Sequence, residues 1–121
     1  MKIKTILLAA AMVLPFTGCH DSTPSDAVAA FYRTWQQQGI HEALAFTNLP
    51  EEERERTARA VSETGMSVLR FEILDSHIEE GDSAAFVKLR LVTAGAASDT
   101  MRNDLDIPCV KAGGVWKVRF I

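Results

Sequence analysis

Apolar residues recur at helical spacing in the first half of the chain and at strand spacing in the second. In residues 23–39, TPSDAVAAFYRTWQQQG, Val28, Phe31, Tyr32 and Trp35 follow i, i+3, i+4, i+7 and form one helix face. Thr23 is a good N-cap, Pro24 suits the first helical position, Asp26 stands three after the cap, and Gly39 ends the helix. Ile40, Ala43, Leu44 and Phe46 outline a short second helix. Residues 49–65, LPEEERERTARAVSETG, predict a third. Pro50 opens it, Glu51, Glu52 and Glu53 complement the helix dipole, and Glu52/Arg56 and Glu55/Arg59 are i,i+4 pairs. Its apolar side is thin, Ala58 and Val61, so the charge run reads as a solvated face.

After Gly65 the period changes to two. Residues 66–80 predict a long strand with Leu69, Phe71 and Ile73 on one side, and the adjacent pair Ile73-Leu74 predicts a bulge or a change of face. EEGDSA, residues 79–84, is a hairpin turn. The next strand alternates Ala85, Val87, Leu89 and Leu91 with Lys88 and Arg90. A third sets Leu105, Ile107 and Cys109 against Asp104 and Asp106. After a Gly-Gly turn, the last turns Trp116, Val118 and Phe120 inward and Lys117 and Arg119 outward. The expected class is α+β: N-terminal helices packed on one face of a curved four-stranded antiparallel sheet. By the same alternation Lys88, Arg90, Arg102, Asp104, Asp106, Lys117 and Arg119 form a solvated outer face.

The N-terminus is patterned differently. Lys2 and Lys4 precede an apolar run from Ile6 to Phe16, then Thr17, Gly18 and Cys19. A basic start, a short apolar stretch and a small-residue exit describe an export signal. The run is about half the roughly 20 residues a membrane-spanning helix needs. Phe16-Thr17-Gly18-Cys19 resembles the lipobox of bacterial lipoproteins, with Phe16 where Leu is usual. That resemblance implies diacylglycerol on the Cys19 thiol, cleavage before Cys19 and acylation of the new amino group. Two or more acyl chains make a stable anchor, at about 0.8 kcal/mol per buried CH₂. The expected organisation is a signal peptide over 1–18, a lipidated anchor and tether over 19–22, and one domain over 23–121. His20 stands where Asp would favour inner-membrane retention in enterobacterial sorting, so the resemblance points to the outer membrane.

Charge and cysteine count narrow the partners. The 121-residue chain has net charge −3, and loss of the leader with its two lysines would leave −5 on 103 residues. Mild acidity argues against nucleic acid, which calls for a basic stripe, and no Lys/Arg cluster is present to hold anionic head groups. With Cys19 lipidated, Cys109 has no intrachain partner, and its apolar neighbours suggest a buried thiol acting as a small hydrophobe.

The TP-x-x-A-V-x-x-F-Y helix, the G-I-H-E-A-L-A-F second helix and the K-A-G-G-V-W-K-V hairpin resemble small bacterial lipoproteins of unknown function. These belong to the nuclear transport factor 2-like, or cystatin-like, superfamily. Gly39-Ile40-His41, Asp82-Ser83-Ala84 and Gly114-Val115-Trp116-Lys117-Val118 occupy the places of that pattern, across residues 23–121. The superfamily holds isomerases, dehydratases, binding modules and transport adaptors, so fold does not decide activity. Because the ionisable strand residues alternate with core residues, the expected function is a membrane-anchored envelope lipoprotein acting as a non-enzymatic binding or accessory module for a protein partner or small apolar ligand. The candidate ligand cleft is Phe31, Tyr32, Trp35 and Trp116. Superfamily enzymes place Asp, His or Tyr on the concave, helix-facing side. The alternative is therefore an isomerase, dehydratase or hydrolase using Asp75 and His77 as an acid/base pair beside Tyr32, if the bulge at Ile73-Leu74 turns that face inward. No cofactor is expected. His20, His41 and His77 lack ligand spacing, and G-x-S-x-G, H-E-x-x-H and a phosphate-cradling Gly loop do not occur.

Overall fold

The computed structural model describes residues 23–97 and 99–120; the leader, Cys19 and His20 lie outside them. Helix α1 spans Pro24–Gln38, α2 Ile40–Ala43, a 3₁₀ turn Leu44–Phe46, and α3 Glu51–Ser62. Strands β1 (Ser67–Ile78), β2 (Ala84–Ala94), β3 (Thr100–Ala112) and β4 (Val115–Val118) follow and pair antiparallel in the order β1-β2-β3-β4.

The start of α1 is set by a full capping box. The Asp26 amide donates to Thr23 Oγ1 at 3.1 Å and the Thr23 amide donates to Asp26 Oδ2 at 3.2 Å. Its expected apolar face is the one that packs: Val28, Phe31 and Tyr32 are buried and Trp35 is half-buried. Ile40, Ala43 and Leu44 follow them into the core, while Phe46 stays largely exposed. Ala58 alone is buried in α3, with Val61 packed against the core. The expected Glu52/Arg56 pair does not form, because Arg56 turns to Glu53, three residues back; the Glu55/Arg59 pair does, at 3.7 Å.

Ala85, Val87, Leu89 and Leu91 of β2 and Ile107 and Cys109 of β3 bury one sheet face beneath the helices. At Gly113-Gly114 both residues have positive φ, +59° and +80°, as a two-residue hairpin of the primed type requires. The isolated parallel bridge from Thr47 to Val118 ties the segment after the 3₁₀ turn to β4. Three inward expectations fail at the margins. Leu105 and Phe120 are 37% and 41% exposed, Leu105 on the exposed half of β3 that precedes Ile107, and Phe120 after β4 has ended at Val118. Leu69 is 44% exposed because β1 carries two bulges rather than one.

The bulges decide what each side of β1 shows. Val68 pairs with Thr93 and Arg70 with Val92, so Leu69 is an extra residue; its carbonyl instead accepts a 2.6 Å hydrogen bond from Gln36 Nε2 of α1. Phe71 and Ile73, opposite Leu91 and Leu89, face the core. The second bulge, between Ile73 and Asp75, then moves Asp75 and His77 out of the row of Phe71 and Ile73. They pair with Lys88 and Phe86, both exposed. The face change foreseen at Ile73-Leu74 is present, and it turns Asp75 and His77 outward, not inward beside Tyr32.

Candidate functional site

On the concave side, α1 lays a row of aromatic rings against the sheet. Phe31 meets Tyr32 edge-on at 4.8 Å and 89°, Tyr32 lies nearly parallel to Trp35 at 6.1 Å and 21°, and Phe71 and Phe120 approach Tyr32 and Phe31 at 6.0 and 6.5 Å. The spacing i, i+1, i+4 puts the first three on one helix face, and the offset and edge-on arrangements suit the ring quadrupoles. Trp116 is not among the rings in this cluster. It is buried on the same sheet face with the Lys111 ammonium 5.8 Å from its centroid. The residues expected to line one cleft are thus divided between an aromatic cluster and the β3–β4 hairpin. Phe31 and Tyr32 fill the space between α1 and the sheet with their own side chains.

Two titratable groups are buried there. Burial, helped by the Cys109 thiol, pushes the Tyr32 phenol up to about 12, and burial pushes the Cys109 thiol up to about 11. The Cys109 Sγ makes long contacts to the carbonyls of Pro24 and Ile107, at 3.9 and 3.8 Å. A protonated thiol in this setting is a small core residue rather than a nucleophile.

An opening beside the cluster remains. A cleft of about 320 Å³ runs between the end of α1, the end of α3 and the start of β1, with Trp35, Ile40, Val61, Met66 and Val68 on its walls. Gln36, Ser62 and Ser67 add polar groups to its rim, and of the four expected residues it engages only Trp35. The signal for it was in the sequence as Trp35, Ile40 and Val61, three apolar residues at the ends of separate helices.

The outer face carries the ionisable groups in rows across β1, β2 and β3. One row is His77, Phe86, Pro108; the next Asp75, Lys88, Asp106; then Glu72, Arg90, Asp104; then Arg70, Val92, Arg102. His77 Nε2 lies 3.2 Å from Glu79 and not on Asp75, while Asp75, Ser76, His77, Phe86, Lys88 and Asp106 surround a dimple of about 80 Å³. Arg90 binds Asp104 through two hydrogen bonds, Nε to Oδ1 at 3.0 Å and Nη2 to Oδ2 at 3.2 Å. That pairing holds the Asp104 carboxyl below its ordinary value and raises the guanidinium above its own. Arg70, Phe71, Glu72, Arg90, Val92 and Arg102 line a cavity of about 200 Å³. Sequence reading placed Arg90 and Arg102 on this face, and missed Arg70 as their neighbour because the Leu69 bulge sets its register. Among the described residues, no group of three or more His, Cys, Asp or Glu side chains is placed to hold a metal ion.

No protein-family model and no curated protein sequence matches the chain. Solved structures do. The intermembrane-space region of the chloroplast protein ARC6 is similar over 79% of this chain and 89% of its own, with TM-score 0.55 and 10% identity. A Nostoc punctiforme protein of unknown function with a cystatin-like fold is similar over 78% and 81%, with TM-score 0.50 and 15% identity. A Campylobacter jejuni protein named as an NTF2-like transpeptidase aligns over 83% and 100%, with TM-score 0.49 and 14% identity. Helices followed by a curled four-stranded antiparallel sheet are thus the cystatin-like fold that the sequence motifs resemble. That fold serves both enzymes and non-enzymes.

Proposed function

We propose that this chain is a lipid-anchored protein of the bacterial cell envelope, held on the outer membrane through acylated Cys19, and that its domain is a non-enzymatic binding or accessory module. The observation that carries the binding reading is the separation of two ingredients of pocket catalysis. The exposed acid and base groups of the sheet, Asp75 and His77 included, stand on its solvated outer face. The apolar surroundings able to retune such groups lie on the other side, where Phe31 and Tyr32 already fill the space. What the concave side offers instead is the Trp35 cleft, suited to an apolar side chain of a protein partner or a small apolar ligand.

The test is complementation of a deletion phenotype by variants matched for protein level, since a destabilised domain loses abundance for reasons unrelated to a site. Asp75→Asn and His77→Ala are expected to complement fully. Trp35→Ala and a cleft-filling Val61→Phe are expected to fail while remaining folded and anchored. Loss of complementation in both stable Asp75→Asn and His77→Ala proteins would overturn the binding reading in favour of the acid/base pair.

A further inference from the structure

The charged rows on the outer face differ in their balance. The Asp75, Lys88, Asp106 row and the Glu72, Arg90, Asp104 row each set one cation between two carboxylates. The next row sets two cations, Arg70 and Arg102, on either side of Val92 with no carboxylate in register. No carboxylate stands opposite either arginine in this row, so neither gains the cross-strand charge pairing that the two rows beside it have. Among the described residues neither the Arg70 nor the Arg102 side chain makes a hydrogen bond or ion pair. Arg102 is close enough to Asp104 to lower its pKa, but Asp104 is already doubly bonded to Arg90.

Val92 shows what lies beneath. It is only 4% exposed, yet it stands on the outer face, apart from the main core. The cavity that Arg70, Arg90 and Arg102 line with it is shared with Phe71 and with one acidic residue, Glu72, so three arginines outnumber one carboxylate around the buried Val92. Strands lie about 4.8 Å apart, so Arg70 and Arg102, two strands apart, stand about 10 Å from each other at the backbone. Long side chains from that distance converge on one small group. Its size, about 200 Å³, admits a carboxylate or phosphate. Near neutral pH a carboxylate carries one negative charge, a phosphate monoester between about one and two. Three arginines against Glu72 and Asp104 leave one net positive charge, which matches one singly charged group.

We propose that this cavity is a docking point for a single carboxylate presented by a protein partner, clasped by Arg70 and Arg102 above Val92, with Arg90 held in place by Asp104. Planar guanidinium forks match carboxylate geometry, and such bonds are among the stronger polar contacts a surface can make. The inference rests on the binding-module reading only in taking the carboxylate to be a protein's.

The experiment is a side-chain Nε–H NMR titration of the full chain in mild detergent. The probes are acetyl-Gly-Glu-Gly amide, acetyl-Gly-Gln-Gly amide and inorganic phosphate. The Glu peptide is expected to shift the Arg70 and Arg102 signals saturably and to weaken with added salt; the Gln peptide is expected to leave them unmoved. Arg70→Met and Arg102→Met keep the stems over Val92 and are each expected to weaken binding about tenfold. The double variant is expected to abolish it, and Lys117→Met, elsewhere on the sheet, to change nothing. Glu-peptide binding that survives the double variant, no saturable shift in the wild type, or phosphate binding more tightly than the Glu peptide would each overturn the proposal. If the titration fails while Asp75→Asn and His77→Ala still complement, the docking point falls and the binding module stands. If the titration succeeds but those two variants fail to complement, the reverse holds.

Discussion

Cys109 and Tyr32 were legible as core residues because period two and period 3.6 each carry them to the buried side, and the structure agrees at 1% and 6% exposure. Their titration gives a prediction with a definite sign. Each is an acid whose protonated form is favoured by the fold, so each holds its proton in the native state above the pH at which the unfolded chain releases it. Stability is complete below the unfolded value and falls as pH rises, from about 9 to about 11 for Cys109 and from about 10 to about 12 for Tyr32. A series of urea melts is expected to show the midpoint dropping steadily above pH 9. Tyr32→Phe keeps the ring and is expected to flatten the upper part of that drop; an unchanged slope would mean the phenol is not buried with its proton. Asp104 acts at the other end. Its lowered carboxyl adds stability that is complete above the unfolded carboxylate range and lost as pH falls through the native value. For Cys109 itself, a water-soluble thiol reagent is expected to react only after denaturant is added. Trp116→Ala is expected to cost about 3–5 kcal/mol in the same melts, as large buried aromatics do.

Elements were legible wherever a local rule sets them, and illegible where the rule is long-range. The capping box announces the start of α1 in four residues, and the Gly-Gly pair announces the β3–β4 turn. The Leu69 bulge has no such mark. Leu69, Phe71 and Ile73 alternate well, and only the reach of Gln36 to the Leu69 carbonyl and the register with β2 show that Leu69 is the extra residue. The adjacent Ile73-Leu74 pair did mark the second bulge, but not the direction in which it would turn Asp75 and His77. A further long-range demand sits at Gly65, after α3. Its φ is +71°, and an added Cβ would lie 2.7 Å from the Ala96 Cβ, in the turn between β2 and β3. The loop that closes α3 is thus pressed against a turn some thirty residues away. Gly65→Ala is expected to destabilise by about 1–3 kcal/mol, from the left-handed backbone and the contact together. Gly81→Ala has positive φ but open space around it, and is expected to cost less. Thermal melts of the two proteins decide it: equal losses would show that backbone strain alone matters and that the Ala96 contact gives way freely.

At the scale of the whole molecule, the fold fixes which end of the domain a lipid on Cys19 would hold at the membrane. Three residues, His20, Asp21 and Ser22, separate Cys19 from Thr23, and the four steps at about 3.3–3.6 Å each reach roughly 14 Å. The Pro24 carbonyl sits at the Cys109 thiol, Cys109 pairs with Ala85, and the Lys111 amide donates to the Ser83 carbonyl, so the 79–83 hairpin shares the end where α1 begins. Met66 lies at the other end, sharing the cleft with Trp35 and Gln36 near where α1 finishes. Fifteen helical residues at about 1.5 Å each put that end roughly 22 Å farther away. The acylated protein is therefore expected to stand with its hairpin near the head groups and its Trp35 cleft facing outward, where a partner can reach it. A fluorophore attached at Asp82→Cys or Met66→Cys, in vesicles doped with a head-group quencher, measures this directly, because Cys109 is too deeply buried to compete for the label. Strong quenching at position 82 and weak quenching at 66 is the expected result, with Cys19→Ala unprocessed, unlabelled by radioactive palmitate and unquenched at both. Equal quenching at the two positions in the acylated protein would mean that the tether leaves the domain free to tumble. Palmitate incorporation that survives Cys19→Ala would instead move the anchor away from Cys19 altogether, and with it the reason for the cleft to face away from the membrane.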